Sequence, residues 1–273
     1  MPPRRVRLDA ELVRRGLAAS RTEAQRLIAE GRVTVGGAPA GKPATLVAPS
    51  QALVVRGEAR QWASRGGHKL AGALEAFAIS PSGRHCLDAG ASTGGFTDVL
   101  LKGGAARVLA VDVGYGQLDW RLRSDPRVVV MERTNVRHLG PGDLSPPSPS
   151  LVVADLSFIS LRLVLPALAA VAAPEADFVL LVKPQFEAGP ERVGKGGVVR
   201  DPEVWRHALV QVVAAAAEAG LGLAGATVSP LPGPAGNVEF FLHLHAGASP
   251  DQAVLDTAME QGLALRATSA SEG

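Results

Sequence analysis

Five short apolar runs constrain the fold of this 273-residue chain more than any other feature. They read HCLDAG, RVLAVDVG, RVVVMERT, LVVADLSF and FVLLVKPQF, and helical stretches separate them from Leu74 onward. None alternates apolar with polar residues, as a strand with one wet face would. Continuous runs of this length are strands buried on both faces, which requires a parallel sheet covered by helices on two sides. Two more runs, GATVSPL and NVEFFLHLH, follow the apolar helix DPEVWRHALVQVVAAAAEAG. A Pro/Gly turn separates them, so they are expected as an antiparallel pair. In an open sheet of this kind ligands bind where the carboxyl ends of the strands share an edge. Asp88, Asp112, Asp155 and Lys183 fall on that edge, while Glu239 is expected inside the last, otherwise apolar strand.

The first sixty residues follow another pattern. Residues 4–17 suit a short helix with Leu8, Leu12 and Val13 on one face. SRTEAQRLIAEG then opens on a capping box, Ser20 to Glu23, and closes on Gly31. RVTVGG reads as a strand and turn, and TLVAPSQALVV supplies two more strands. Charge separates the two regions. Residues 1–66 carry 12 Lys and Arg against 5 acids, and the remainder carries 16 against 21. A one-signed basic head on an acidic body points to a polyanion partner. The candidate contacts are Arg4, Arg5, Arg7, Arg14, Arg21, Arg26 and Arg32, with Arg65 just beyond. Aromatic residues are only 4% of the chain, so RNA would be held through phosphates and shape rather than a stacking platform.

Other features exclude whole classes. A single cysteine, Cys86, allows neither an internal disulfide nor a cysteine-based zinc cluster, and no metal is expected. The basic N-terminus has no apolar segment behind it, so it is not a secretory signal. No window approaches the ~20 unbroken apolar residues of a membrane span. A cytoplasmic protein without a membrane partner is the expectation, its oligomeric state left open.

The turn after the first parallel strand, LDAGASTGGF, indicates the cofactor. A dinucleotide fingerprint needs G-x-G-x-x-G so that backbone amides meet a pyrophosphate. Here Gly90 is followed by Ala91, Ser92, Thr93, Gly94, Gly95 and Phe96, so Ser92 replaces the second glycine. Asp88 would repel a pyrophosphate. S-adenosylmethionine has no phosphate, and its ammonium suits a carboxylate, directly or through water. Asp112, twenty-four residues on, is placed for the ribose hydroxyls, and Thr134 or Asn135 in ERTNVR for the adenine edge. Five parallel strands plus an antiparallel pair is the sheet of Rossmann-like class I methyltransferases. The fold expected is therefore α/β with a small N-terminal α+β domain. The domains are expected over 1–59, a linker over 60–63, the catalytic domain over 64–246 and a tail over 247–273.

The chain uses 23 arginines and only 5 lysines, which draws attention to the lysines. Unlike arginine, lysine can lose its proton in a desolvated site. Lys69, Asp155, Lys183 and Glu239 together resemble the Lys-Asp-Lys-Glu tetrad of FtsJ-like ribose 2′-O-methyltransferases. The resemblance implies that Lys183 takes the ribose proton or stabilises the developing oxyanion, that Asp155 and Glu239 set its charge and orientation, and that Lys69 helps position the ribose or the opposing carboxylate. Other acceptors fit poorly: Cys86 lies inside a strand, away from cytosine-C5 chemistry, and DLSF replaces the Asp/Asn-Pro-Pro-aromatic turn of amine methylation. Phe158 in DLSF reads as a core aromatic or as part of the acceptor site. GKGGVVRD reads as a loop over the substrate or as a plain junction.

RLDAELVRRGLAASRTEAQRLIAEGRVTVGG resembles an S4-like RNA-binding domain. With RQWASRGGHKL, LDAGASTGGFTDVLL, ADLSFISL, LLVKPQFEAG, GKGGVVRD and GPAGNVEFF, the chain is similar to the TlyA family from about Arg5 to Leu244. The resemblance implies 2′-O-methylation of cytidine in ribosomal RNA, on the small subunit and, in many members, the large. It also implies ribosomal RNA or ribosomal subunits as partners. The family also carries a haemolysin label. A membrane-active protein is therefore one alternative, and a nicotinamide oxidoreductase is another. RQWA departs from the family linker in ending on Ala63, which leaves signalling between domains through Arg60 and Trp62 as an open expectation.

Overall fold

The computed structural model describes residues 5–18, 20–56, 61–248 and 252–271. Arg4 and Arg60 lie outside the described residues. The chain divides into two compact units, which meet in sequence at Gln61 and Trp62.

The smaller unit runs β1 (Val6–Arg7), α1 (Leu8–Arg14), α2 (Arg21–Ala29), β2 (Val33–Val35), β3 (Ala38–Pro39), β4 (Leu46–Val47) and β5 (Leu53–Val55). The first helix starts later than expected, because Val6 and Arg7 pair with Val47 and Leu46 as a strand. Ser20 caps α2, its hydroxyl accepting from the Glu23 amide at 3.1 Å. The backbone turns left-handed at Gly31, φ +68°, just past the helix end. Leu8, Leu12, Ala24, Leu27, Ile28, Val33 and Val47 form a common core. Two acids on α1, Asp9 and Glu11, are buried beside it. Arg7 and Arg21 close on Asp9, and Arg14 and Arg15 on Glu11. A buried carboxylate persists only with such partners, so these arginines hold fixed positions.

Chain order from Trp62 is α3 (Arg65–Ala76), β6 (His85–Ala89), α4 (Gly95–Lys102), β7 (Arg107–Val111), α5 (Trp120–Arg123), β8 (Val128–Met131) and β9 (Leu151–Ala154). It continues with α6 (Leu165–Val171), β10 (Asp177–Val182), α7 (Pro184–Glu187), α8 (Pro202–Glu218), β11 (Gly222–Val228), β12 (Phe240–His245) and α9 (Gln252–Ser271). Seven strands form one sheet in the order β11-β12-β10-β9-β6-β7-β8. The five expected strands, β6 to β10, are parallel. β12 is antiparallel to both β10 and β11.

Side chains along the runs alternate between two cores. Cys86, Val108, Ala110, Val153, Val179 and Leu181 face α3 and α4. Leu87, Ala89, Leu109, Val152, Phe178 and Leu180 pack on the other face with residues of α6, α8 and α9. A strand covered twice has no reason to alternate polarity, which is why the runs read as unbroken. The tail forms the 20-residue helix α9. Its Leu255, Ala258 and Met259 are buried, and Gln261 Oε1 accepts from the Val228 amide at 3.2 Å.

Candidate active site

The strand order reverses between β6 and β9, so their ends leave a crevice. Gly90 follows β6 with φ +86°, and a Cβ there would lie 2.6 Å from the Asp155 carbonyl oxygen. Only glycine lets the two strand ends approach so closely. Gly94 opens α4, also left-handed at φ +93°. At Gly95 a Cβ would stand 2.1 Å from Ser64 Oγ and 2.9 Å from the Gly67 amide, so α3 and α4 meet at bare backbone. That contact brings Lys69, on α3, to the crevice.

Two cavities open along this edge. One, of about 300 Å³, is lined by Gly66, Lys69, Asp155, Lys183 and Glu239, with Arg65 at its wall. Ala91, Thr93, Gly95 and Phe96 line it as well. The other, of about 530 Å³, includes Asp112, Gln117, Thr134, Asn135 and Val136. Gly90, Ser92, Asp155 and Ser157 line both.

The four expected catalytic residues converge as two ion pairs. Lys69 Nζ donates to Glu239 Oε2 at 2.6 Å, both side chains buried. Glu239 sits one residue before β12 rather than within it. Lys183, directly after β10, places Nζ 2.5 Å from Asp155 Oδ1. It also donates to Ser157 Oγ at 3.0 Å. Ser157 was absent from the sequence expectations, although it lies two residues beyond Asp155 in DLSF. Its own signal there was only a small polar residue in a loop.

Asp112 Oδ2 accepts from the Ser92 amide at 2.8 Å, and Oδ1 from the Gly114 amide at 2.7 Å. The carboxylate is thereby fixed at the rim of the larger cavity, with lone pairs to spare. Asp112 and Asp155 are the only charged residues among that cavity's lining. Such a wall suits a ligand that offers hydroxyl or cationic groups. Asp88 departs from expectation. It is fully buried, its Oδ2 accepts from the Thr97 hydroxyl at 2.6 Å, and it lines neither cavity. It braces the turn from beneath and does not reach a ligand ammonium directly. Burial pushes its carboxyl up to about 7, with the Asp155 and Asp112 charges adding to the rise and the Thr97 bond opposing it.

Phe158 is no core aromatic: it is 91% exposed, at φ +65°. Its ring lies 5.2 Å from that of Phe186, beside Lys183. The GKGGVVRD segment is a tight hairpin, with Gly194 bridged to Val198. Buried Asn237 holds it through the Gly197 carbonyl and the Val199 amide. Cys86 is sealed in β6, and burial drives its thiol up to about 12, out of reach of nucleophilic chemistry. Of the expected RNA contacts, Arg5, Arg7, Arg14, Arg21 and Arg32 lie on the smaller unit together with Arg26, which pairs with Glu30 and Glu23.

The match to known proteins agrees with this geometry. Residues 62–246 match the FtsJ-like methyltransferase family, and residues 6–53 match the S4 domain. A Mycobacterium tuberculosis protein named 16S/23S rRNA (cytidine-2′-O)-methyltransferase TlyA is 61% identical over 242 residues, covering 88% of this chain and 90% of the relative. The chain belongs to the TlyA family of FtsJ-like methyltransferases. Another member, Hemolysin A of Brachyspira hyodysenteriae, is 37% identical over 87% of this chain and 99% of its own. A solved structure described as a hemolysin from Streptococcus thermophilus is 39% identical, covers 99% of both chains and superposes with a TM-score of 0.75. The family thus carries both names on one methyltransferase fold.

Proposed function

We propose that this chain methylates the ribose 2′-oxygen of cytidine in ribosomal RNA, of the small subunit and also the large, with S-adenosylmethionine as donor. The single observation behind the reading is the Lys183–Asp155 pair at the junction of the two cavities. The 61% identity to a cytidine-2′-O-methyltransferase supports the same acceptor. The work is expected in the cytoplasm, on subunits or their RNA. Residues 1–59 would serve RNA binding, 60–63 the link, and 64–246 the chemistry, with 247–273 as a tail.

Asp112, Thr134 and Asn135 would hold the adenosine, and the Gly90–Phe96 turn the amino-acid end. Asp155 would face the sulfonium. When bound, S-adenosylmethionine supplies an electrophilic methyl group with a neutral leaving sulfide. The chain's task is to present the ribose oxygen in line, and positioning of this kind can lower a barrier by several kcal/mol. A neutral Lys183 Nζ would accept the hydroxyl proton, and a charged one would stabilise the developing oxyanion. Either role needs the nitrogen at the reacting oxygen, and the bonds to Asp155 and Ser157 would fix it there. Lys69 and Glu239 neutralise each other in the wall behind, so the ribose meets a shaped surface rather than an unpaired charge. Phe186, whose ring lies near Lys183, and Phe158 beside it would offer the base a stacking surface.

A nicotinamide reading is opposed by the glycine turn, in which Ser92 stands where the dinucleotide fingerprint needs its second glycine. Among the described residues no helix is long and apolar enough to cross a membrane, which gives the lytic reading no helical route through a bilayer. The test uses ribosomal RNA transcripts with the target cytidine as ribo- or 2′-deoxynucleotide, incubated with labelled donor. Label on the ribo form alone supports the reading. Equal labelling of the deoxy form would move the methyl group to a base and refute it.

A further inference from the structure

Glu187 is buried, charged by sequence and unused by the chemistry above. It closes α7, four residues after Lys183. Its side chain does not point into the crevice. It reaches across to the loop after β9, where Oε1 accepts from the Leu161 amide at 2.7 Å and Oε2 accepts from the Ser160 hydroxyl at 2.5 Å. Arg162 Nε lies 3.4 Å from the same Oε2. One carboxylate therefore binds three groups of the loop that begins at Asp155.

The position of this loop matters for a physical reason. Asp155 and Ser157 lie on it, and both touch Lys183. Lys183 in turn is the N-cap residue of α7, with the Phe186 amide donating to its carbonyl at 2.9 Å. The two segments meet at Lys183, where the reaction is read to occur, at the ring pair of exposed Phe158 with Phe186, and at Glu187, a buried polar tie. The parallel β9–β10 ladder stops at Ala154 and Leu180. Beyond it the Asp155 amide donates to the Ala89 carbonyl of β6 at 3.0 Å and Val182 pairs with Phe240 of β12, so each strand end is held by another neighbour and no β9–β10 ladder bond joins Asp155 to Lys183. A buried carboxylate with several donors is a strong local tie, because each bond is charge-assisted. Desolvation raises the Glu187 carboxyl above the ordinary range, which shows how fully it is enclosed; Ser160, Leu161 and Arg162 oppose that rise.

We infer that Glu187 is a positioning residue, a strut that sets the Asp155–Ser157–Lys183 geometry by tying the Ser160–Arg162 turn to α7. The inference rests on the reading of Lys183 under the proposed function. Glu187→Gln keeps the size and one acceptor but loses the charge, and Glu187→Ala removes the tie. Both are compared with the unaltered full-length protein for kcat, KM for each substrate, donor affinity and amide hydrogen exchange over 156–163. The strut predicts kcat down about tenfold in Glu187→Gln and further in Glu187→Ala. Donor affinity stays within about twofold, because Asp112 and the glycine turn are untouched. Exchange over 156–163 should quicken while the β6 and β7 amides keep their protection. Glu187→Asp, which keeps the charge, should recover part of kcat.

An unchanged kcat in Glu187→Gln would overturn the strut, as would a fall in donor affinity and β6 protection in step with kcat. Product identity reports separately on the ribose reading: a methyl group on a base would refute that reading, and kcat for the transfer seen would still judge the strut. If the unaltered protein transferred no methyl group, exchange over 156–163 would decide, and unchanged protection there in both variants would overturn the inference.

Discussion

Lys183, Asp155, Lys69 and Glu239 are far apart in sequence yet form two contacts no longer than 2.6 Å. Asp155 and Lys183 were legible at strand ends, because a charge ending an apolar run has few structural uses. The pairing of all four was not, since Lys69 reaches Glu239 only through the α3–α4 crossing at Gly67 and Gly95. Asp88 was legible as important, but its burial was not: a carboxylate beside a glycine turn looks like an open ligand group, whereas here it is enclosed and its Oδ2 accepts from Thr97. Its raised carboxyl carries a pH consequence. Between about 4 and about 7 the folded chain holds a proton at Asp88 that the unfolded chain has released. Stability from this group therefore falls as pH rises through that window. Asp88→Asn removes the loss, so its stability gain over the unaltered protein should be larger at pH 8 than at pH 5, by up to about 3 kcal/mol. Urea denaturation of both proteins at the two pH values checks this, and an increment independent of pH would contradict it.

Elements were more legible than contacts. The five buried runs announced a parallel sheet because two-sided burial leaves a period-free signature. The tail announced its helix only weakly: α9 buries a few side chains, a tertiary gain that leaves a faint helical pattern in the local sequence. Within the turn after β6, Gly90 combines a left-handed backbone with a close approach to Asp155. Gly90→Ala should cost about 1–2 kcal/mol for the backbone alone. The added Cβ must also push the β9 end away, so donor affinity should fall together with thermal stability. Calorimetric binding and a melting curve test this at once. Gly83→Ala, left-handed at φ +71° but with nothing near its Cβ, is the control and should lose stability without losing affinity.

For the whole molecule the relevant feature is the division of charge. The arginine-rich smaller unit was legible from one-signed composition, but its buried acids Asp9 and Glu11 were not, because acids on a short amphipathic helix read as its wet face. Fixed by those acids, the arginines present their remaining donors in set positions, which favours a structured polyanion over a flexible one. Arg14→Gln and Arg21→Gln should each raise KM for RNA and leave kcat and donor affinity unchanged. Each should also lower the slope of log affinity against log salt by about 0.7–0.9 if one phosphate contact is lost. Binding titrations over a salt series measure that slope, and an unaltered slope would remove these arginines from the interface.

The central claim is that Lys183 acts at a ribose oxygen. The direct measurement takes ribosomal subunits from cells lacking this protein, adds the purified chain with tritiated S-adenosylmethionine, and identifies the labelled nucleoside after digestion. Lys183→Ala runs in parallel, with donor binding measured for both proteins. The account predicts label in 2′-O-methylcytidine, a rate lower by roughly 10³-fold in Lys183→Ala, and donor binding preserved. Label in a methylated base, or a variant as fast as the unaltered chain, would contradict it.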